Sequence, residues 1–252
     1  MLSAIFAGVP ENAFGRCLEL GAGDGYLSTL LAHYARVLIS AEIRVGRFAE
    51  RALDNTLYAV CDAELLPFRA AKFDLIFSSH LLEHLPNLQG GLCEMRRALQ
   101  PDGVMVHLVP TRLWKLLDFG LFFPSQVVHL VEKHTEPAGE EGERRGTPDR
   151  ERSTVKQPPP SWWRRSLWPP VHGVSGNNIS EFMRFGVRRW TTEFERAGLD
   201  VAHVRRRLPL HSPYRFGLER TRSVLESLGA SSTVGFVLTH SGRRPPPARL
   251  FT

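Results

Sequence analysis

Residues 17–25 read CLELGAGDG. An apolar, β-type run passes into glycines at positions 21, 23 and 25, and from Gly25 the spacing of apolar residues becomes helical. A buried strand, a glycine-rich turn and a helix in that order form the opening unit of a parallel α/β sheet. Gly21, Gly23 and Gly25 allow a tight turn whose backbone can lie against a ligand. A dinucleotide fingerprint needs glycine where this chain has Tyr26, and no GK[ST] ending follows, which argues against NAD, FAD and a triphosphate. Glu19 just before the glycines and Asp24 among them disfavour a phosphate and suit a cationic ligand.

Working outward, short apolar runs alternate with helix-type segments across the first half of the chain. The strands expected are Cys17 to Leu20, Val37 to Ala41, Tyr58 to Cys61, Phe73 to Ser78 and Val104 to Val109. Helices are expected at Gly25 to Tyr34, Arg44 to Leu53 and Leu88 to Leu99, the last stopped by a QPDG turn at Gln100 to Gly103. From Glu132 to Ser161 the composition shifts to Glu, Arg, Gly and Pro, which reads as a disordered loop. Beyond it, Ile179 to Ala197 has helical spacing, Val201 to Leu208 and Val234 to Thr239 read as strands, and Tyr214 to Leu228 reads as a helix between them. The tail 241–252 is expected to fray. The opening MLSAIFAGVPENAFGR lacks a basic leader and a small-residue cleavage site, so it reads as a helix or cap.

Charge divides the chain more sharply than its total of +6 indicates. Residues 1–143 carry 12 Lys and Arg against 18 Asp and Glu; residues 144–252 carry 20 against 8, nearly all of the cations arginine. A basic second half can face phosphate, an anionic membrane surface or nucleic acid, or can simply be a solvated surface. Cys17, Cys61 and Cys93 lie in or beside apolar runs with no CxxC pair, so neither a disulfide framework nor a metal site is expected. The longest apolar stretch, Leu113 to Val131, is interrupted by Lys115, Asp118 and Pro124, which is unsuited to spanning a bilayer. A cytoplasmic protein is expected, with peripheral contact at the inner membrane face left open.

Two more carboxylates stand where a nucleoside would need them. Glu42 follows the second apolar run, where a strand-end carboxylate can accept from both ribose hydroxyls. Asp62, within CDAELLPF, can accept from the exocyclic amine of an adenine. Taken with FDLIFSSHLLEHL and LQPDGVMVHLVP, these motifs in this order resemble the type 11 class I S-adenosylmethionine-dependent methyltransferases over about residues 14–110. The resemblance implies a Rossmann-like, seven-stranded, mostly parallel sheet with its last strand antiparallel, and S-adenosylmethionine as cofactor. It implies that Glu19, Gly21 and Gly23 line the methionine moiety, Glu42 the ribose, and Asp62 with Ala63 the adenine. Ser78, Ser79 and His80 would close the methionine side. Relatives carry one or two more helices before the first strand, so a more open cofactor site or a truncated start is expected here.

On that reading the whole chain is one methyltransferase domain. The cofactor core spans 14–110, a substrate insertion 111–178 contains the disordered loop 132–161, and residues 179–240 complete the sheet. A general base is needed only if the acceptor must lose a proton. His84 and His172 are the candidates; Glu83-His84 also fits a structural helix start, and His107 reads as a core histidine. Leu113, Leu117 and Leu121 form an apolar helical face with Leu116 and Trp114 beside them. Trp162, Trp163 and Trp168, interleaved with Arg164 and Arg165, resemble an interfacial surface. They imply an amphipathic acceptor or, equally, a lid over a small-molecule pocket; no nucleic-acid partner is expected. A sugar hydroxyl on a lipid-linked glycan is the first acceptor to consider. A quinone or secondary-metabolite precursor and a non-catalytic cofactor-binding module are the alternatives.

Overall fold

The computed structural model describes residues 5–44, 53–122, 171–209, 226–227 and 229–243. The expected helix Arg44 to Leu53 (but for its end residues), the loop 132–161, the tryptophan-arginine cluster and nearly all of the helix Tyr214 to Leu228 lie outside them.

Seven strands form one sheet in the order β3-β2-β1-β4-β5-β7-β6. They are β1 (Phe14–Leu20), β2 (Ala35–Glu42), β3 (Thr56–Val60), β4 (Phe73–Ser79), β5 (Leu99–Pro110), β6 (Leu199–Arg205) and β7 (Thr233–His240). β1 to β5 pair in parallel, and β7 runs antiparallel between β5 and β6. The order reverses between β1 and β4, so the carboxyl ends of these two strands open the crevice where ligands of such sheets bind.

Both faces of the sheet are covered, which explains why its strands read as nearly continuous apolar runs. Leu18, Ile76 and Met105 face one layer, made by helix α2 (Leu88–Ala98) and helix α4 (Val187–Arg196), whose Leu92, Met95, Trp190 and Phe194 are buried. Cys17, Leu75, Phe77 and Val106 face the other, where Ile5, Phe6 and Leu31 pack and the Phe6 ring stacks on Tyr34 at 4.9 Å. Helix α1 (Tyr26–Leu31) follows the glycine turn. Helix α3 (Asn178–Arg184) begins with a capping box in which the Asn177 side chain accepts from Ser180 N at 2.8 Å.

Three expectations change. The single helix expected over Ile179 to Ala197 is two, because the chain extends at Gly186 and turns Phe185 inward against Trp114. Gln100 to Gly103 is no turn between helix and strand. α2 ends at Ala98, and these residues bulge out of β5, since Phe73 pairs with Leu99 but Leu75 with Val104. In the helical run 112–122 the buried positions are Trp114, Lys115, Asp118 and Phe122, whereas Leu116 is 55% exposed. No described helix is long and apolar enough to cross a membrane.

Candidate active site

The glycine turn is pinned to the end of β2. Gly21 N and Ala22 N donate to the Ala41 carbonyl at 2.9 and 3.1 Å, and Gly23 N donates to Glu42 Oε2 at 2.9 Å. Gly21, Gly23 and Gly25 have φ of 71°, 57° and 75°, the left-handed region that side-chain-bearing residues avoid. A side chain at Gly21 would press on Leu81, but one at Gly23 would meet none of the described residues within 4 Å. Among the described residues Gly23 therefore borders open space, the room a ligand lying against the turn requires.

Two carboxylates stand at the ends of the strands that carry the turn. Glu19, the neighbour of Ser40 across the β1–β2 register, is buried and accepts from Ser28 Oγ at 2.5 Å and Ser40 Oγ at 2.8 Å. Burial raises its pKa, the charge of Asp24 adds to the rise, and the two hydroxyls oppose it. A cation beside it would stabilise the ionised form. Glu42 accepts one amide on each oxygen, from Gly23 and from Ile43 N at 3.0 Å. A lone pair remains on each for a pair of hydroxyls. Cys61 N donates to the Glu42 carbonyl at 3.1 Å, which sets the next residue, Asp62, beside Glu42. Asp62 Oδ1 caps its own turn by accepting from Glu64 N at 2.8 Å, and Ala63 is buried. Glu19, Gly21, Gly23, Glu42, Asp62 and Ala63 thus gather at one end of the sheet.

At the end of β4 the three residues expected on the methionine side differ in how they are held. Ser78 is fully buried and its hydroxyl lies 2.8 Å from His107 Nδ1, so its side chain faces the sheet interior rather than a methionine moiety. His107, as expected, is a core histidine. Burial pushes its pKa down to about 3, so it is neutral. Ser79 is partly exposed. His80 has φ 51°, and its ring spans two elements, Nε2 being 3.2 Å from Thr233 Oγ1 and Nδ1 3.3 Å from Glu83 Oε1. It braces the start of β7 against the 3-10 turn Leu82–His84.

His84 and His172, far apart in sequence, come together with ring centroids 4.6 Å apart and planes at 71°. Gly173 makes this possible. Its φ is 89°, and a side chain there would strike the Glu83 carbonyl, which instead accepts from Val174 N at 3.2 Å. The Trp114 ring lies 4.7 Å from His172 on another side. Behind it, Lys115 Nζ, fully buried, is 2.9 Å from Asp118 Oδ2 and 2.6 Å from Glu181 Oε2. Burial pushes Glu181 up to about 7 and Asp118 adds to the rise, while Lys115 and the His172 N–H oppose it. The sequence reading gave Glu83 only a structural part and Trp114 only a place beside an apolar face, and it missed the ion triad; the Lys115 and Asp118 that interrupt an apolar stretch one helical turn apart were the available signal.

Residues 18–107 match a family model described as a methyltransferase domain. The chain is similar to a malonyl-[acyl-carrier protein] O-methyltransferase of Geobacter sulfurreducens, 33% identical over 146 residues, which cover 55% of this chain and 51% of that protein. It is also similar to a ubiquinone/menaquinone biosynthesis C-methyltransferase of Cupriavidus pinatubonensis, 32% identical over 114 residues, 41% of this chain and 46% of that one. The chain spans about half the length of these curated relatives. An S-adenosylmethionine-dependent methyltransferase from Mesorhizobium loti has the same fold, with a TM-score of 0.56 at 16% identity over 93% of this chain and 95% of that one. With the observed sheet order, these likenesses give residues 18–107 as a methyltransferase domain within a class I methyltransferase fold. The relatives named act on a carrier-bound malonyl group and in quinone biosynthesis, which lends no support to the expected sugar acceptor.

Proposed function

We propose that the chain transfers a methyl group from S-adenosylmethionine to an oxygen or activated carbon of a small or carrier-linked acceptor. The observation that carries this reading is the glycine turn pinned to Glu42 and preceded by the buried Glu19, with no described residue filling the space beside Gly23. Glu19 would face the cationic methionine end, Glu42 the ribose and Asp62 the adenine, with the backbone rather than the side chain of Ser78 completing the methionine side. Ser79 and His80 would border it. When bound, the cofactor supplies an electrophilic methyl group. The protein aligns the acceptor with it and keeps water away.

The two named relatives differ in what the acceptor asks of the protein. A malonyl carboxylate is already ionised at neutral pH, whereas a ring carbon activated by a phenol needs a proton removed. His84 and His172 are the groups we assign to that task, as partly buried imidazoles just beyond Leu81, which touches the glycine turn. The test is transfer from methyl-labelled cofactor to a panel holding a malonyl carrier protein, soluble phenols and a lipid-tailed quinone precursor in vesicles. Labelling of one class is expected. If that class is phenolic, His84→Ala and His172→Ala should each lower kcat by about 100-fold or more while cofactor Kd holds. Cofactor binding without transfer to any acceptor would contradict catalysis and favour a binding module.

A further inference from the structure

We infer that Glu83, His84 and His172 form a binding site for a divalent cation of borderline softness, such as zinc or cobalt; its position on the acceptor side rests on the function proposed above. One donor atom from each of the three side chains lies within 4.8 Å of the other two. Cysteine spacing gave no hint of such a site, because its ligands come from two segments that meet only in the fold.

The meeting of those segments is fixed by backbone rather than by chance contact. Gly173 lies directly on the Glu83 carbonyl, and Val174 N donates to that same oxygen. His172 is held further by the Trp114 ring, 4.7 Å away. A buried carboxylate needs compensating positive charge. Among the described residues, the side chains that act on the buried Glu83 carboxylate are imidazoles, His80 and His84, rather than a lysine or arginine. A divalent ion would supply that charge.

Two imidazole nitrogens and one carboxylate oxygen are a ligand set that zinc and its neighbours take, with a further position open. Bonds of the usual 2.0–2.2 Å would bring the donors to roughly 3.3 Å from one another. The donors would therefore close by about 1.5 Å at most, within reach of side-chain rotation in the partly exposed His84 and His172. His80, 3.3 Å behind Glu83 Oε1 and tied to Thr233, stands where an outer-shell partner orients a metal-bound carboxylate. Ion and proton compete for the same imidazole lone pairs, so binding releases protons and weakens as pH falls. An acceptor oxygen on the open position would be acidified by the ion and lose its proton to solvent, which replaces removal by imidazole.

Tag-free full-length chain, stripped with chelator, is titrated with zinc by calorimetry and with cobalt by visible absorption. His84→Asn, His172→Ala and a surface control, His33→Ala, are run alongside. S-adenosylmethionine affinity of each metal-free protein reports folding and tests the proposed function separately. The site predicts one equivalent of metal in the wild type and in His33→Ala. Removing a ligand should cost at least the 10–100-fold that changes in an outer shell produce. No metal binding by a wild type that binds cofactor, or binding unchanged in both ligand variants, would overturn the site and leave the methyltransferase reading standing.

Discussion

The two ends of the candidate site are held together in different ways. Around the cofactor, consecutive strand and turn residues do the work, and backbone amides of the glycine turn reach Ala41 and Glu42 on the adjacent strand. On the acceptor side the contacts join segments far apart in the chain, Leu82–His84, the helical run 112–122, and residues 172–184, through one buried ammonium, two carboxylates and rings that meet edge-on or tilted. The first arrangement tolerates change wherever the backbone keeps its course. The second depends on charges that must all be present, because a buried ion left alone costs far more than a neutral contact.

The sharpest way to break this contrast is Lys115→Met. It leaves Asp118 and Glu181 buried without their cation and should lower stability by about 3–5 kcal/mol in urea unfolding, with cofactor affinity nearly unchanged in the protein that remains folded. A loss below about 1 kcal/mol would mean that water reaches the triad. Gly173→Ala comes next. Its φ of 89° and the Glu83 carbonyl in its path should cost about 1–3 kcal/mol and separate His172 from His84, again without touching the glycine turn.

A pH series sharpens the comparison further. Burial holds Glu181 at about 7, above its ordinary value of 4.5, so the folded state binds its proton the more tightly. The resulting contribution to stability is fully present below about pH 4.5 and is lost as pH rises through about 7. Glu181→Gln cannot titrate, so the wild type should lose stability relative to it across that window and hold level above it. A difference independent of pH would contradict the assignment. The smallest effect belongs to Arg189→Ala, whose half-exposed pair with Glu193 at 2.9 Å should be worth only about 0.5 kcal/mol.

This contrast also explains what the sequence could tell. The strands around the cofactor were legible to within a few residues, because apolar runs, glycines at 21, 23 and 25 and carboxylates at strand ends act locally. The direction of the Ser78 side chain was not legible, since β4 is buried on both faces and its residue types carry no sign of which way each points. The break at Gly186 was hidden by apolar spacing that continues smoothly through it, while the cause, Phe185 packing on Trp114, lies some seventy residues away in sequence. Residues 113, 117 and 121 read as the apolar face of their helix, and all three are only partly buried. The fold instead buries Lys115 and Asp118, which only the arrival of Glu181 makes affordable.

The most direct test of the account is calorimetric titration of the chain with S-adenosylmethionine and S-adenosylhomocysteine, beside Glu42→Ala and an NAD control. Both sulfur ligands should bind and NAD should not. Loss of the charge-assisted bonds at Glu42 should weaken binding by roughly 100-fold or more. Failure of either sulfur ligand to bind, or equal affinity in Glu42→Ala, would contradict the assignment of the glycine turn as the cofactor site.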